Sequence, residues 1–232
     1  MRHLKSLEGL SRLPIGQKER EAMLPTAYRS EINRDVQPAQ VGEFTPLRYG
    51  PMGVDPPVVL APMAGVTNAP FRRICRRYGA GLYVSEMISA RGLVERNAKT
   101  LELARFEPDE QPRSIQLYGT DPVALAHATR WLTAEGRVDH IDMNFGCPVR
   151  KITRQGGGAA IPLKPKLLAR LVRAVVSNAG PIPVTIKVRS GIDEDHLSHL
   201  SSGKIAREEG CAAIALHART AAQLYDGESD WM

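Results

Sequence analysis

From about residue 45 onward, short apolar runs alternate with longer segments in which apolar residues recur at helical spacing. The apolar runs predict strands over residues 57–61, 81–85, 113–118, 140–144, 184–188 and 212–217. The intervening segments predict helices over residues 69–78, 89–103, 121–135, 164–178 and 195–209. Mostly apolar strands that are separated by helices imply a parallel sheet covered on both faces. Residues 46–55 predict two short extended pieces around a Gly-Pro turn.

Two parallel architectures fit this alternation, and the residues at the strand ends favour one of them. A doubly wound sheet normally carries a glycine-rich turn after its first strand, but here that strand ends in Ala61-Pro-Met-Ala-Gly. In a (β/α)8 barrel the chemistry lies at the carboxyl ends of the strands. Polar residues collect at those ends, namely Gln116, Asn144, Cys147, Lys187, Arg189, His217 and Arg219. We therefore predict an α/β fold of the TIM-barrel type.

The predicted domain organisation follows from the extent of the pattern. Residues 1–43 show no sustained period, and Pro14, Pro25 and Pro38 interrupt any helix there. We predict a weakly ordered extension over residues 1–43 and a catalytic barrel domain over residues 44–232. Only about six of the eight βα units of a closed barrel are counted before Met232, so we expect an incomplete barrel that lacks its last units.

Composition narrows the cellular setting. The chain is 43% hydrophobic and 24% charged, which is typical of a soluble protein. Its three cysteines, Cys75, Cys147 and Cys211, are an odd number without a CxxC pair, so we expect neither a disulfide framework nor a metal site. No apolar run approaches the roughly 20 residues that a membrane-spanning helix needs, and no secretory signal is recognised. We therefore predict a cytoplasmic protein without a membrane partner.

Charge is distributed unevenly along the chain, whose net formal charge is +6. No acidic residue lies between Asp142 and Asp193, and nine basic residues fill that gap: Arg150, Lys151, Arg154, Lys164, Lys166, Arg170, Arg173, Lys187 and Arg189. A second basic cluster comprises Arg72, Arg73, Arg76 and Arg77. Either cluster alone fits a solvated helix face as well as it fits a surface that binds a polyanion. The length of the acid-free stretch favours a polyanionic partner, of which nucleic acid is the commonest.

The segment Asn144-Phe-Gly-Cys147-Pro148 directly follows the fourth predicted strand. Glycine before the cysteine and proline after it favour a loop, so we expect Cys147 to be presented rather than packed in an element. A thiol with a pKa near 8.5 is mostly protonated at neutral pH and can donate a proton as well as attack. His217 could assist it from across the barrel, or it could be an ordinary hydrogen-bonding residue at a strand end.

Five motifs in this order resemble those of the tRNA-dihydrouridine synthases, and most closely the bacterial branch. They are Ala61-Pro-Met-Ala-Gly-Val-Thr-Asn, Gln116-Leu-Tyr-Gly, Asn144-Phe-Gly-Cys-Pro-Val-Arg-Lys, Lys187-Val-Arg-Ser-Gly and His217-Ala-Arg-Thr. The resemblance covers about residues 45–232. It implies an FMN enzyme that reduces the C5=C6 bond of uridines in tRNA and is recharged by NADPH.

The resemblance also implies a role for each matching residue. Cys147 would donate the proton to C5 after hydride addition at C6. The cofactor contacts would come from Pro62, Met63, Ala64, Gln116, Lys187 and His217. Asn144 would hold the uracil or the ring edge, while Arg150, Lys151, Arg154, Arg189 and Arg219 would contact the substrate.

The family also binds the FMN phosphate with segments after strands seven and eight and grips tRNA with a C-terminal helical domain, and we expect neither within these residues. Two alternatives stay open at this point. One is an FMN barrel that acts on a free pyrimidine, as dihydroorotate dehydrogenase does. The other is a non-catalytic remnant.

Overall fold

The structure is a computed structural model that describes residues 42–134 and 136–230. All but the last two residues of the predicted N-terminal extension lie outside the described residues. The described part opens with an antiparallel hairpin of β1 (Leu47–Tyr49) and β2 (Met52–Val54). Gly50 in its turn has a φ of +57°, a value that glycine adopts readily. The prediction of two short extended pieces around a Gly-Pro turn is therefore confirmed.

A six-stranded parallel sheet forms the centre of the molecule, with its strands side by side in chain order. Its strands are β3 (Val59–Leu60), β4 (Leu82–Ser89), β5 (Ser114–Tyr118), β6 (His140–Phe145), β7 (Val184–Arg189) and β8 (Ala213–His217). Residues from both edge strands, β3 and β8, line one inner cavity, so the sheet is curled. This is the incomplete (β/α)8-type barrel that the sequence predicts, with six strands among the described residues.

Helices follow the strands and cover the outer face of the sheet. They are α1 (Ala69–Cys75), α2 (Ala90–Val94), α3 (Ala98–Leu103), α4 (Pro122–Ala134), α5 (Arg150–Thr153), α6 (Pro165–Ala179) and α7 (His199–Glu208). Short 3₁₀ turns lie at Arg76–Tyr78 and Gly158–Ala160. Pro122 at the first position of α4 and Asp121, which accepts from the Val123 N–H at 2.9 Å, form the predicted helix start.

The main core lies between the sheet and the outer helices. Alternate strand residues such as Ile115, Ile141 and Ile186 are fully buried against Leu125 of α4 and Leu168 of α6. Burial of each such side chain contributes about 1.5–3 kcal/mol. The other set of strand positions faces the inside of the curled sheet and is largely polar. The packing energy therefore comes from one face, which leaves the inner face available for chemistry.

Two predicted helices have wrong boundaries. The helix predicted over residues 89–103 is interrupted, because Arg96 has a left-handed φ of 56° and Asn97 starts a new helix by accepting from the Thr100 N–H. The strand before it runs on to Ser89, four residues past its predicted end. The helix predicted from residue 195 begins only at His199, since an isolated bridge pairs Gly191 with Leu197.

The basic cluster of Arg72 to Arg77 is not uniformly a solvated face. Arg72 is 0% exposed and forms a bidentate ion pair with Glu110, which is 2% exposed, at 2.5 and 3.0 Å. Its guanidinium also donates to the carbonyls of Thr67 and Arg105. This arginine therefore holds the loop after β3 against the loop before β5 and does not contact a polyanion. Neither interpretation of the cluster foresaw an internal ion pair.

Candidate active site

The candidate site is a cavity of about 380 Å³ inside the curled sheet. Its lining consists of Tyr49, Val59, Ala61, Pro62, Leu82, Val84, His140, Asp142, Thr185, Lys187, Ala213, Ala215, Leu216 and His217. A mostly apolar wall with a few convergent polar groups, at this volume, is typical of small-molecule and cofactor sites. A larger groove of about 730 Å³ lies outside, between α3 and the end of α4. That groove is near the amino ends of β5 and β6, opposite the end where barrel enzymes carry their chemistry.

The side chain of Asn144 holds the loop that carries Cys147. Its Oδ1 accepts from the backbone N–H groups of Gly146 (3.2 Å) and Cys147 (2.9 Å). The Cys147 carbonyl in turn accepts from the Ala159 N–H at 3.0 Å. Gly158 passes so close, at a φ of +54°, that a Cβ there would collide with the Cys147 carbonyl oxygen. Cys147 thus lies half-buried in a loop whose backbone is fixed from both sides.

Gln116 is locked between two other polar groups of the barrel interior. Its Nε2 donates to Asp142 Oδ2 at 2.6 Å, and its Oε1 accepts from Asn144 Nδ2 at 2.8 Å. Asp142 Oδ1 accepts from the Thr185 hydroxyl at 2.5 Å. Gln116 is only 1% exposed and is not among the residues that line the cavity, so its contact with a bound ring stays a prediction.

Asp142, Thr185 and His140 were not singled out from the sequence. His140 contacts Ser114 Oγ through Nδ1 at 2.7 Å and Thr185 Oγ1 through Nε2 at 3.0 Å. The signal for this cluster was the period-two spacing of polar residues in β6, where His140, Asp142 and Asn144 share one face. That spacing within an otherwise apolar strand indicates an inner polar face.

A buried anion and a half-buried cation face each other in the cavity. Burial raises the pKa of Asp142 from 3.8 to about 6, and hydrogen bonds from Thr185 and Gln116 and the charge of Lys187 oppose that rise. Burial lowers the pKa of Lys187, the Asp142 charge raises it, and Arg189 lowers it. Asp142 therefore helps to keep Lys187 protonated inside the barrel, where a cation can neutralise an electron-rich ligand.

His217 lies at the end of β8 in a strongly positive environment. Burial and the nearby charges of Arg189, Lys187 and Arg219 lower its pKa to about 4. The imidazole is therefore neutral at pH 7. Since three cations converge on this corner of the cavity, its potential suits an anionic group.

Arg189 and Arg219 support the segment that follows β8. Arg189 is 4% exposed and donates from Nη1 to the carbonyls of Thr220 and Leu224, both at 2.7 Å. Arg219 donates from Nη2 to the Gly227 carbonyl at 2.7 Å. Their contacts with substrate stay predictions, and only their remaining N–H groups could make them.

The opening motif forms a loop at the rim of the cavity. Pro62 lines the cavity, while Met63 and Ala64 are exposed beside it. The Met63 N–H donates to Thr67 Oγ1 at 3.0 Å, and the Gly65 N–H donates to the buried carboxylate of Glu86 at 2.9 Å. Glu86 is a further positioning residue that sequence reasoning missed, because it lies in β4, beyond the predicted end of that strand.

The three basic residues predicted to meet a nucleic-acid backbone lie just beyond the Cys147 loop. Arg150, Lys151 and Arg154 are all exposed, on or directly after the four-residue helix α5. Lys164, Lys166 and Arg170 are exposed at the start of α6. Arg173, from the same acid-free stretch, is instead paired with Glu209. The three residues that follow the cysteine loop thus form an exposed cationic surface, which we call the basic rim (Arg150, Lys151, Arg154).

Asp142 and His140 have opposite effects on how the free energy of unfolding depends on pH. Below pH 6 the folded state keeps the Asp142 proton that an unfolded aspartate loses above about 3.8, so this group lowers stability as the pH rises from about 4 to about 6. His140 acts oppositely, because burial lowers its pKa from 6.5 to about 4 and its contribution is lost as the pH falls through that range. The two slopes largely cancel in the native protein.

Asp142→Asn is expected to leave the His140 slope uncompensated. Between pH 4 and 6, the free energy of unfolding should rise about 1.4 kcal/mol more per pH unit than in the native protein. Urea unfolding at stepped pH measures this difference, and groups such as His217 cancel because both proteins carry them. His140→Gln is the matched control and should change the slope in the opposite direction. Equal slopes in all three proteins would contradict these shifts.

Known proteins are similar to this chain over most of its described length. A family model described as dihydrouridine synthase (Dus) matches residues 59–232. The chain is 51% identical over 207 residues to a probable tRNA-dihydrouridine synthase of Mycobacterium tuberculosis, covering 85% of this chain and 52% of the relative. It is 39% identical over 185 residues to tRNA-dihydrouridine synthase B of Pseudomonas aeruginosa, covering 80% and 55%. The chain thus spans about half the length of the curated relatives it matches.

A search of solved structures adds a morphinone reductase in complex with tetrahydroNAD, at a TM-score of 0.45 and 15% identity, covering 75% of this chain and 72% of that one. Among the residues that the structure describes, no helix has the length and apolar character to cross a membrane. The match to the family model extends over well more than half of the chain and includes the Cys147 loop and the cavity strands. This chain belongs to the dihydrouridine synthase family.

Proposed function

We propose that the protein to which these residues belong reduces the C5=C6 bond of uridine in tRNA to dihydrouridine, with FMN as cofactor and NADPH as reductant. One observation carries the proposal. Asn144 joins the backbone of Cys147 to Gln116, and Gln116 donates to Asp142, which lines the cavity together with Lys187. A cysteine loop that is connected by hydrogen bonds to the wall of a cavity that suits an electron-rich ring supports a flavin-dependent reduction with protonation.

The residues present fit an FMN ring. The cavity has an apolar wall that includes Pro62 and Ala215, and Lys187 and the positive corner at His217 complement negative charge. The residues that would hold the cofactor are Pro62, Met63, Ala64, Gln116, Lys187 and His217. When bound, the reduced flavin supplies the hydride that adds to uracil at C6.

Cys147 completes the reduction with a proton. Its Sγ–H bond breaks as a C–H bond forms at C5, and the thiolate recovers its proton from water. The hydride and the proton together account for both added hydrogens. The hydrogen bonds from Gly146 and Cys147 to Asn144 fix the cysteine loop, so the thiol needs little reorganisation before it donates.

A uridine stacked in RNA cannot reach this cavity, so the base must leave the stack, which costs a few kcal/mol. Phosphate contacts from the basic rim would offset that cost. A free pyrimidine would have no use for this exposed cationic surface beside the thiol. The proposal therefore takes tRNA as substrate, and it is tested by incubating the protein with FMN, NADPH and unmodified tRNA and measuring the gain of two hydrogens per uridine by mass spectrometry.

Replacing the basic rim is expected to weaken tRNA binding through lost phosphate contacts. In the triple variant Arg150→Ala, Lys151→Ala, Arg154→Ala, the plot of log affinity against log salt concentration should become less steep by about 3, one for each lost cation. Filter binding at stepped salt concentrations measures the slope. The matched control removes three exposed cations from α3 and α7, Lys99, Lys204 and Arg207, and should keep the native slope. Equal slopes in the two variants would count against the basic rim.

A further inference from the structure

We propose that Asp142 is the positioning residue of this site, because its carboxylate is the common acceptor of a hydrogen-bond chain whose two branches, from Ser114 and from the Cys147 backbone, both point toward it. The chain joins β5, β6 and β7 across the barrel interior. That the chain thereby holds the proton donor in place rests on the function proposed above for Cys147. The direction of the chain follows from which groups can only donate.

The branch toward the cysteine loop is directed by backbone amides. The N–H groups of Gly146 and Cys147 can only donate, so the atom of Asn144 that faces them is Oδ1. Its Nδ2 must then face Gln116, which is possible only if Gln116 presents Oε1. The Gln116 Nε2 is thereby directed at Asp142, which must accept. Each amide orientation follows from the preceding one.

The branch toward β5 is directed by the hydroxyl of Thr185. That hydroxyl has one proton and gives it to Asp142 Oδ1, so it can only accept from His140 Nε2. Neutral His140 therefore carries its proton on Nε2, and its Nδ1 accepts from the Ser114 hydroxyl. Both carboxylate oxygens of Asp142 are thus acceptors, one for each branch.

The surroundings of Asp142 are consistent with an ionised carboxylate as the common acceptor. Lys187 supplies the compensating cation, while Tyr49 and Cys211 lie within electrostatic range and His140 lies one hydroxyl away. A protonated carboxyl or an amide at position 142 would have to donate through one of its two atoms. The neighbouring donor would then lose its acceptor, and reversing one branch of the chain restores the pairing.

The branch that can reverse is the one through Thr185. In Asp142→Asn, the fixed Gln116 donor takes the amide oxygen, so the new NH₂ faces Thr185. The Thr185 hydroxyl would then donate to His140 Nε2, and the histidine proton would move to Nδ1, where it can donate to Ser114. The proposal therefore predicts a tautomer switch in a residue that does not touch position 142 directly.

The test uses ¹⁵N-histidine-labelled protein and two-bond ¹H–¹⁵N correlation spectra at neutral pH. The chain has six histidines, and the signal lost in His140→Gln assigns His140. The native protein is expected to show the Nε2–H tautomer, and Asp142→Asn the Nδ1–H tautomer. Finding Nδ1–H in the native protein overturns the proposal even if the variant does not fold.

A second pair of variants isolates the route. Thr185→Val removes the hydroxyl that links His140 to Asp142, so adding Asp142→Asn to it should no longer switch the tautomer. Thr129→Val is the matched control, because it removes a buried threonine hydroxyl on α4 that bonds to the Leu125 carbonyl, and the switch should persist in its background. A switch in the Thr185→Val background, or none in the Thr129→Val background, would overturn the route.

This readout needs no cofactor and no tRNA. A native protein with the expected tautomer but no uridine reduction would count against the proposed function and leave the positioning role of Asp142 standing. The opposite result, active protein with His140 in the Nδ1–H form, would remove Asp142 as the common acceptor and leave the function standing.

Discussion

Replacing Cys147 with alanine is expected to lower the rate of uridine reduction in tRNA by about 10²- to 10⁴-fold, the range of a lost general acid. The oxidation of NADPH by the protein with bound FMN, measured without tRNA, should continue near the native rate, because that step does not use the proton of Cys147. Single-turnover formation of dihydrouridine, followed by mass spectrometry of digested tRNA, measures the first rate.

The matched control is Cys75→Ala, which removes another half-buried thiol, one that lies on α1 rather than in the loop held by Asn144. It should reduce tRNA at the native rate. Native rates in Cys147→Ala as well would remove the thiol from the mechanism and leave the cavity residues to explain the activity. A drop of equal size in both variants would indicate damage to the fold rather than a lost proton donor.

Glu110→Gln is expected to lower the free energy of unfolding by about 3–5 kcal/mol, because it leaves the charge of Arg72 buried without a partner. Both side chains are almost fully buried, and Arg72 forms two hydrogen bonds to the carboxylate. The Glu110 carboxylate also accepts from the Glu107 N–H, so the loop before β5 should loosen with it. Urea unfolding at neutral pH measures the loss.

The double variant Arg72→Met, Glu110→Leu distinguishes the cost of an unpaired buried charge from the contribution of side-chain packing. Because it leaves no buried charge unpaired, it should recover much of the stability lost in Glu110→Gln. Arg91→Ala, which breaks the exposed pair with Glu95 on α2, is the control and should change stability little. A double variant as unstable as Glu110→Gln would show that packing around Arg72, rather than the ion pair, holds the two loops together.

The order of the elements and the position of the cysteine loop could be predicted, since both depend on local patterns. Apolar runs of strand length, separated by segments whose apolar residues recur at helical spacing, identify the strands of a parallel sheet from local sequence alone. Glycine and proline on either side of Cys147 favour a loop through their own backbone restrictions. Helix boundaries were less accurate at Arg96, because a left-handed residue other than glycine leaves no strong signal in the sequence.

The acceptor role of Asp142 and the burial of Arg72 could not be predicted in the same way. Asp142 meets Gln116, 26 residues earlier, and Thr185, 43 residues later, only because the register of β5, β6 and β7 brings them side by side. Arg72 meets Glu110 across 38 residues. The residue type determines which hydrogen bonds a side chain can form. It does not determine which distant residues bury that side chain or become its partners.

By itself, then, the sequence determined the parallel sheet, the barrel type, the family and the loop that presents Cys147. The tertiary structure alone decided that Arg189 is an internal support, that Arg72 is half of a buried ion pair, and that Asp142 collects the hydrogen bonds of the cavity. The physical reason is the sequence separation over which each effect acts. Backbone preference and hydrophobic periodicity act over a few neighbouring residues, whereas desolvation and hydrogen-bond direction depend on groups that only strand pairing brings together.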